Sequence, residues 1–398
     1  MIASYSEQSG ISIKVWKPTI VAATSYVPKG TLIPGEWAQV MSSYSHDIQA
    51  NGGWWSASIV LNGELVDMED WFAEGINRHV EVHNSANVLI FAGFVNQVDL
   101  SAGTLSATRG PLMDVVNRVS VTYTPIIDAT TTPPIQGTQT TTTIAGDATS
   151  QGKYAILEDV VEGGALLDDG VTDDAAQLRD TYLQEFKDPE SSEDLNLGGG
   201  GSVPSVTLSV LGYVHRFQKY VMQDVTAATT TITTKIQNAI NADPNGLFST
   251  DFSKIATNAF LTSRYEDDNR MAWDVMQELV SIGDVNNDRY TLGVYANQQV
   301  AYAVLPDSAA YKHRIADGNI EVLTFMGDAI VEPWDVLPAR WIFLPDFLTG
   351  RSLPAALRDD PRYIFIESVR YTAPNALQIS GNKVGTVAQM LAKKGMWS

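Results

Sequence analysis

The sequence predicts a mainly β protein of the α+β class, with two β-barrel domains connected by a small helical region. Short runs of β-forming residues separated by turn residues fill the first and last parts of the chain, whereas helical periodicity is concentrated in the middle. The chain contains no series of β-α-β units and no heptad repeat. Several short strands spaced by turns favour a barrel or a sandwich over a parallel sheet covered by helices.

Composition limits the classes of function. The 398 residues are 44% hydrophobic, which is enough for a large core in two or three domains. No apolar run approaches the roughly 20 residues needed to cross a bilayer, and the N-terminus lacks the pattern of a signal peptide. The absence of cysteine excludes disulfides and cysteine-based sites, and it suits folding in a reducing cytosol. The net charge of −20 disfavours specific nucleic-acid binding.

The first barrel domain is predicted to span residues 1–222. Alternating apolar residues predict a strand that ends at the favoured turn pair Asn62 and Gly63, as one half of a hairpin. These alternating residues are Trp55, Ala57, Ile59 and Leu61. Residues 88–95 are dense in β-formers, and Gly93 among them predicts a bulge or bend that curls the sheet.

Two segments of unusual composition interrupt this domain. Residues 125–150 are rich in Thr and Pro, which predicts a long loop or an extended hairpin. Residues 191–202 have the composition of a flexible, Gly-rich linker. Between them, residues 173–187 are predicted to form a helix capped by Thr172 or Asp173. Its apolar face consists of Ala175, Leu178, Tyr182 and Phe186.

The helical connector is predicted to span residues 223–289 and to contain two packing helices. The first is defined by apolar residues at helical spacing, namely Ile232, Ile236 and Ile240. The second is defined in the same way by Met271, Val275, Leu279 and Ile282. Asp267 or Asp268 lies near its start, and Gly283 follows its end, where a left-handed residue is expected.

The second barrel domain is predicted to span residues 290–398. Its strands are predicted at 290–302, 320–325, 340–344 and 363–371. In the last of these, alternation places two sets of side chains on opposite faces. One set is Phe365, Glu367, Val369 and Tyr371, and the other is Ile364, Ile366 and Ser368.

One group of residues has the types and spacing of metal ligands. His79, Glu81 and His83 would point to the same face of a strand, where two imidazoles and a carboxylate bind a divalent cation. Alternation with Val80 and Val82 predicts a polar, solvent-exposed face equally well. We favour the solvent-exposed face because no further ligand can be identified from spacing.

Other motifs of catalytic or binding sites are incomplete. Residues 284–288 begin like a calcium loop, but Arg289 stands where glycine is needed and Tyr295 where the closing Glu is needed, so a polar turn is predicted. Residues 146–153 resemble a phosphate-binding loop with incorrect glycine spacing, and Tyr154 replaces Ser or Thr. The usual hydrolase, zinc-protease and dinucleotide motifs are missing. We therefore predict no catalytic, cofactor-binding or metal-binding residues.

An alternative function rests on two features. Residues 168–176 resemble the opening motif of β-helical tailspikes that cut polysaccharide, and the pair Asp359 and Asp360 has glycosidase-type carboxylates. Trp54, Trp55 and Trp71 are of a type that stacks on sugars. A helix rather than a repeated strand pattern follows the acidic run, so we interpret it as a helix start with favourable charge placement. We interpret the tryptophans as interface residues. The second hypothesis is a carbohydrate-binding or polysaccharide-degrading tailspike or receptor-binding protein.

Several segments resemble the hub proteins of phage tail tips. Residues 269–284 are similar to the central helix of these proteins, and residues 91–95 are similar to a strand of their first barrel. The other segments that carry the resemblance are 174–189, 289–295, 302–306, 331–338 and 365–371. The Thr-rich segment and the Gly-rich linker lie outside the shared pattern.

The resemblance implies a structural virion protein without enzymatic activity or cofactor. Such a hub is a homotrimer whose three chains supply six tube-type barrels, matching the six-fold tail tube. It closes the distal end of the tube, contacts the distal tail protein and the tape-measure protein, and anchors tail fibres or receptor-binding subunits. DNA passes through its lumen without specific binding, and the protein is made in the host cytoplasm. A secretion-spike subunit of related fold is a third hypothesis.

Overall fold

The computed structural model describes residues 3–4, 10–21, 25–33, 40–169, 172–195, 203–222, 229–263, 269–286, 288–306, 309–316, 320–325, 330–343 and 363–382. Over these residues the protein is mainly β with several helices, which confirms the predicted α+β class. Its α-helices are α1 (Leu65–Glu74), α2 (Ala148–Tyr154), α3 (Asp174–Phe186), α4 (Ile232–Asn241) and α5 (Ala272–Ile282). None of the helices in this part of the chain is long and apolar enough to cross a membrane.

The strands are mostly short and follow one another closely along the chain. The first group is β1 (Ala3–Ser4), β2 (Ser12–Val21), β3 (Ser25–Leu32), β4 (Val40–Gln49), β5 (Gly52–Asn62), β6 (His79–His83), β7 (Leu89–Ala102), β8 (Leu105–Arg109) and β9 (Arg118–Asp128). The second group is β10 (Ile135–Gln136), β11 (Thr140–Thr141), β12 (Ala145–Gly146), β13 (Glu158–Leu167), β14 (Ser191–Leu195), β15 (Ser205–Leu211) and β16 (Val221–Met222). The third group is β17 (Thr230–Thr231), β18 (Leu261–Thr262), β19 (Arg270–Met271), β20 (Tyr290–Val294), β21 (Val300–Val304), β22 (Ala309–Ala316), β23 (Ile320–Phe325), β24 (Trp341–Phe343), β25 (Tyr363–Thr372) and β26 (Ala376–Asn382).

One antiparallel path of hydrogen-bonded strands connects the two ends of the chain. Its order is β3, β2, β6, β7, β15, β5, β4, β25 and β26. The step from β4 to β25 pairs residues 45–49 with residues 368–372, so strands of the first and last predicted domains share a sheet. The strand pairings of the described residues trace open paths. Closure into two barrels and the domain boundaries therefore stay predictions.

The Thr-rich segment folds back on β9. β10, β11 and β12 pair antiparallel with β9, and β13 pairs with it in parallel along the other edge. Of the two predicted forms, the extended hairpin is the one that the structure shows. Helix α3 packs on this small sheet through Leu183 against Val119 and through Ala175 against Tyr123.

The largest core lies between the long sheet and the helices of the predicted connector. Phe94 and Leu208 from the sheet share one cluster of buried side chains with Ile236 of α4 and Leu279 of α5. The C-terminal strands have a small core of their own around Tyr311, Val336, Ile342, Ile366 and Val369. Burial of apolar surface at about 25 cal/mol per Å² makes these clusters the main source of stability.

The structure tests the predicted start of α3 and the predicted end of α5. Asp173 caps α3 by accepting a hydrogen bond of 2.8 Å from the Ala176 N–H. Gly283 follows α5 with a positive φ of 74°, as expected after a helix, but its ψ of −147° lies outside the predicted left-handed helical region. Asp267 and Asp268, the predicted start of α5, lie outside the described residues.

Several local predictions for strands are wrong. Asn62 and Gly63 lead into α1 rather than into a hairpin partner, and the sequence interpretation missed this helix. Gly93 itself pairs regularly with Val80, and the register shifts of β7 lie on either side of it, between Leu89 and Phe91 and between Val95 and Gln97. A Cβ at Gly93 would lie 2.3 Å from the Leu211 carbonyl oxygen, so close approach of a neighbouring strand requires glycine. Residues 191–195 of the predicted linker instead form β14, which pairs with β8, and residues 196–202 lie outside the described residues.

The last predicted strand differs in its faces. A register shift between Ile366 and Ser368 interrupts the alternation of β25. Ile366 and Val369 are therefore both buried in the same core, although simple alternation places them on opposite faces. The predicted strand at 290–302 is two strands, β20 and β21, that form a hairpin.

Candidate functional site

Two open strand edges form the candidate functional surface. Among the described strands, β3 pairs only with β2 and β26 pairs only with β25, at opposite ends of the antiparallel path. A strand with one partner presents a row of backbone N–H and C=O groups along its other side, and such rows pair with strands of other chains. We call β3 and β26 the two open edges.

The residues of β3 fit an edge position. Pro28 has no backbone N–H, and proline inside a sheet is confined to edge strands and bulges. Val27 is 45% exposed and Leu32 is 39% exposed, so apolar side chains as well as backbone groups are available to a partner. The Tyr26 N–H is already used, because it donates a hydrogen bond of 2.8 Å to the Asn245 carbonyl.

The residues of β26 alternate between core and surface. Leu377 and Ile379 are half-buried against the C-terminal core, and the alternating residues Gln378 and Ser380 are exposed. The strand thus has one half-buried apolar face and one exposed polar face. Edge pairing at β26 requires no rearrangement of the apolar core.

The predicted metal-binding residues on β6 are buried. His79 is 0% exposed and Glu81 is 5% exposed, so the predicted solvent-exposed face is wrong. The reason lies in the sheet, because β6 is an inner strand between β2 and β7. Trp16 of β2 is the register partner of His79, and the two rings lie 5.3 Å apart and cover this face.

Lys29 from β3 neutralises the carboxylate of this group. Its Nζ forms an ion pair with Oε1 of Glu81. Nε2 of His79 and Nε2 of His83 each lie 3.6 Å from a carboxylate oxygen of Glu81. No group of three or more His, Asp or Glu in the part of the chain that the structure describes is arranged to hold a metal ion. The ammonium of Lys29 supplies the positive charge that a bound metal ion would otherwise bring to Glu81.

The protonation states of this group follow from burial and hydrogen bonding. Burial by itself raises the pKa of Glu81, but the neighbouring His79 ring and the ammonium of Lys29 outweigh it and lower the pKa to about 2. Burial lowers the pKa of His79 and of His83. Nδ1 of His79 lies 2.7 Å from the Tyr213 hydroxyl. At neutral pH the arrangement is a structural ion pair between Lys29 and Glu81, flanked by the neutral imidazoles of His79 and His83.

The carboxylates of the tailspike-like motif hold the turn before α3. Asp168 accepts a hydrogen bond of 2.7 Å from the Tyr123 hydroxyl, and Asp169 accepts one of 2.8 Å from the Thr172 N–H. Asp173 caps the helix. This agrees with the predicted helix start rather than with a sugar-cleaving site. The carboxylate pair Asp359 and Asp360 lies outside the described residues.

The two loop motifs are also structural. Asp284 accepts hydrogen bonds of 2.9 Å from the N–H groups of Asn286 and Asp288, and these bonds lower the pKa of its carboxyl. It thus shapes the polar turn predicted between α5 and β20. In the phosphate-loop segment, Asp147 caps α2 by accepting a hydrogen bond of 2.9 Å from the Ser150 N–H. The carboxylate therefore occupies the helix end where a phosphate would bind.

Two of the three tryptophans lie in the core instead of at an interface. Trp54 is 8% exposed and Trp71 is 2% exposed. The Trp54 ring contacts those of Phe91 and Tyr295, with centroids 6.0 and 6.1 Å away. Trp55 is half-buried against His215, with ring centroids 4.2 Å apart. These side chains pack within one subunit and do not form a sugar-binding platform.

Comparison with known proteins finds similarity to solved structures but not to known sequences. No protein family and no curated protein matches the sequence. The chain is similar to the 43 kDa tail protein of prophage MuSo2 from Shewanella oneidensis, with 8% identity and a TM-score of 0.43 over 93% of this chain and 96% of the other. It is also similar to a tail protein from Neisseria meningitidis MC58, with 6% identity and a TM-score of 0.37 over 94% and 95% of the two chains.

The open edges were not found by the sequence interpretation. Pro28 is compatible with an edge strand, but it lies in the bulge of β3 between the pairs Lys17–Thr31 and Thr19–Val27, so by itself it does not mark an edge. No residue marks β26 either, because its edge position depends on which strands pair. Strand order in a sheet is a long-range property, so composition and alternation within one strand do not reveal it.

Proposed function

We propose that the protein is a structural, non-enzymatic subunit of a phage tail, and within it the hub of the tail tip, or baseplate. In this proposal three copies form a ring that closes the distal end of the tail tube and anchors the parts that recognise the host. The observation that carries the proposal is the pair of open edges, β3 and β26, at opposite ends of one antiparallel path. Contacts between different edges of identical subunits are heterologous, and such contacts form closed rings when the rotation between subunits closes.

The placement of the hub-like segments supports the proposal. The segment 91–95 lies in β7 and the segment 365–371 in β25, and both strands belong to the antiparallel path. The hub-like helix is α5, and the segment after it forms the hairpin of β20 and β21. β20 in turn pairs with the first residues of β5. Segments far apart in the sequence thus form one connected structure, which supports the proposal without any argument from the two loosely superposed tail proteins.

The partners follow from the same proposal. A hub of this kind contacts the distal tail protein and the tape-measure protein, and it carries tail fibres or receptor-binding subunits. The net charge of −20 suits a channel through which DNA passes without binding. The protein is made in the host cytoplasm and ends in the virion at the tip of the tail.

Two measurements test the proposal. Mass spectrometry of purified virions should detect the chain at a few copies per particle, and light scattering of the purified protein should show concentration-dependent association toward a trimer. Absence from virions together with a strictly monomeric protein would refute the proposal. A ring that needs neighbouring tail proteins for its assembly stays monomeric in isolation, so the virion measurement decides.

An edge variant tests the ring contact itself. Val27→Lys places a charge on the outer part of β3, where it opposes strand addition. We expect it to reduce association at least tenfold. Val285→Lys is the matched control, because Val285 is 74% exposed in the turn after α5 and lies on neither edge. If both variants self-associate as strongly as the wild-type protein, the subunit contact lies elsewhere.

A further inference from the structure

Four aliphatic side chains are exposed at one end of the central sheet. Val40 is 50% exposed, Leu65 44%, Val66 65% and Val203 67%. Single exposed aliphatic residues are common on protein surfaces, whereas groups of them mark interaction sites. We call these four residues the end patch.

Backbone pairing brings the end patch together. The Gly63 N–H donates a hydrogen bond of 3.2 Å to the Pro204 carbonyl, which joins the end of β5 to the start of β15. Val203 directly precedes Pro204, and Leu65 and Val66 follow Gly63 by two and three residues. Val40 is the register partner of Asn62, the residue before Gly63. All four side chains therefore belong to the same end of β4, β5 and β15.

Acidic residues at the start of α1 border the end patch. Glu64, Asp67 and Glu69 lie beside or between its members, and none of the three forms a salt bridge within the described residues. Burial and the neighbouring charges of Glu64 and Asp70 raise the pKa of Asp67, which indicates that negative charge accumulates here. The adjoining segments 34–39 and 196–202 contain no Lys or Arg in their sequences. These two segments therefore supply no positive charge that could pair with the acidic border.

We propose that the end patch is a docking surface for another protein that presents apolar side chains flanked by Lys or Arg. Apolar side chains of the partner cover the valines and the leucine, and its cations pair with the acidic border. A second copy docked through the same patch fits poorly, because a symmetric contact would bring the same carboxylates face to face. The proposal is independent of the ring formed through β3 and β26.

A defined peptide pair tests the surface on the purified full-length protein. The probe is a fluorescent amphipathic helix with leucines on one face and lysines beside them, and its control carries glutamates in place of the lysines. We expect fluorescence anisotropy to show at least tenfold tighter binding of the lysine peptide, and weaker binding as salt rises. Equal binding of the two peptides would overturn the proposal.

Variants separate docking from general attraction to an acidic protein. Val66→Ser with Val203→Ser should weaken binding of the lysine peptide about tenfold, whereas Val285→Ser at an unrelated exposed site should not change it. Glu64→Gln with Asp67→Asn should remove most of the preference for lysine. If the end-patch valine variants bind like wild type, the surface is not a docking site. If wild type self-associates and these variants do not, the occupant is a second copy and the proposal is wrong. Circular dichroism of each variant confirms that the fold is retained.

Discussion

His46 and Tyr371 face each other across the junction of β4 and β25, as register partners with ring centroids 5.4 Å apart. Both side chains are buried, although one belongs to the first tenth or so of the chain and the other to its last tenth. The Tyr44 hydroxyl lies 2.8 Å from Nδ1 of His46 and completes the contact. This junction is where the C-terminal strands join the central sheet.

Removing the Tyr371 ring should destabilise the whole protein. We expect Tyr371→Ala to lower the free energy of unfolding by about 3 to 5 kcal/mol, because the ring is 0% exposed and its loss leaves a cavity. Tyr371→Phe is the matched control. It removes only the hydroxyl that donates 2.6 Å to the Pro374 carbonyl and should cost about 1 kcal/mol. Urea unfolding followed by tryptophan fluorescence measures both. Similar costs for the two variants would contradict the packing role of the ring.

His46 should make the fold sensitive to acid. Burial lowers its pKa from 6.5 to about 3. The unfolded chain therefore binds a proton below pH 6.5 while the folded chain does not, so stability is full above that pH and falls as the pH drops toward 3. For this one group the loss at pH 5 is about 2 kcal/mol.

The variant His46→Asn isolates this contribution. It should cost stability at pH 8 but show a smaller further loss between pH 8 and pH 5 than wild type. His215, whose pKa is lowered by burial to about 4, contributes acid sensitivity of the same sign and remains in the variant. Urea midpoints at the two pH values give the comparison. If His46→Asn and wild type lose the same stability between pH 8 and pH 5, His46 is not the titrating group.

The ion pair between Lys29 and Glu81 should couple β3 to β6. Glu81 is 6% exposed and Lys29 is 41% exposed at the side chain, so water screens the pair in part. We expect a double-mutant cycle with Lys29→Met and Glu81→Gln to give a coupling energy of about 1 to 2 kcal/mol. Lys17 and Glu74 are the matched control, at 3.7 Å and with both side chains more than 60% exposed. Their coupling should be below about 0.5 kcal/mol. Equal couplings for the two pairs would rule out the role of burial.

The cap of α3 should stabilise the small sheet around β9. Asp173→Ala removes the hydrogen bond to the Ala176 N–H and should cost about 1 kcal/mol. Asp173→Asn retains an accepting oxygen and should cost less. Hydrogen exchange of the amides in α3 measures the effect locally, because the segment 110–190 contains no tryptophan to report its unfolding. Identical exchange in both variants would argue against the cap.

Local rules predicted the elements of this protein well where one pattern dominated. Isoleucines at helical spacing predicted α4, and Ile232, Ile236 and Ile240 are all buried. The same rules missed α1, because Asn62 and Gly63 form a strong turn signal and the helix behind them has an exposed, acidic surface. They also gave β25 two regular faces, since a bulge depends on the neighbouring strand and not on the sequence of β25 alone.

The candidate sites divide in the same way. The spacing of His79, Glu81 and His83 correctly placed them on one face of a strand, and only the structure showed Lys29 pairing with the carboxylate, from a strand 50 residues earlier in the chain. The acidic residues at 168–174 were correctly interpreted as a helix start, because an N-cap is a local interaction over three residues.

The sequence by itself determined the mainly β class, the helices in the middle of the chain and the negative charge, since these follow from composition and from periodicity within single elements. The tertiary structure alone decided that β4 pairs with β25, that β3 and β26 end the antiparallel path, and that exposed valines gather beside α1. Strand pairing depends on contacts between residues hundreds of positions apart. Such contacts are selected by the packing of the whole core and leave no periodic pattern in either segment.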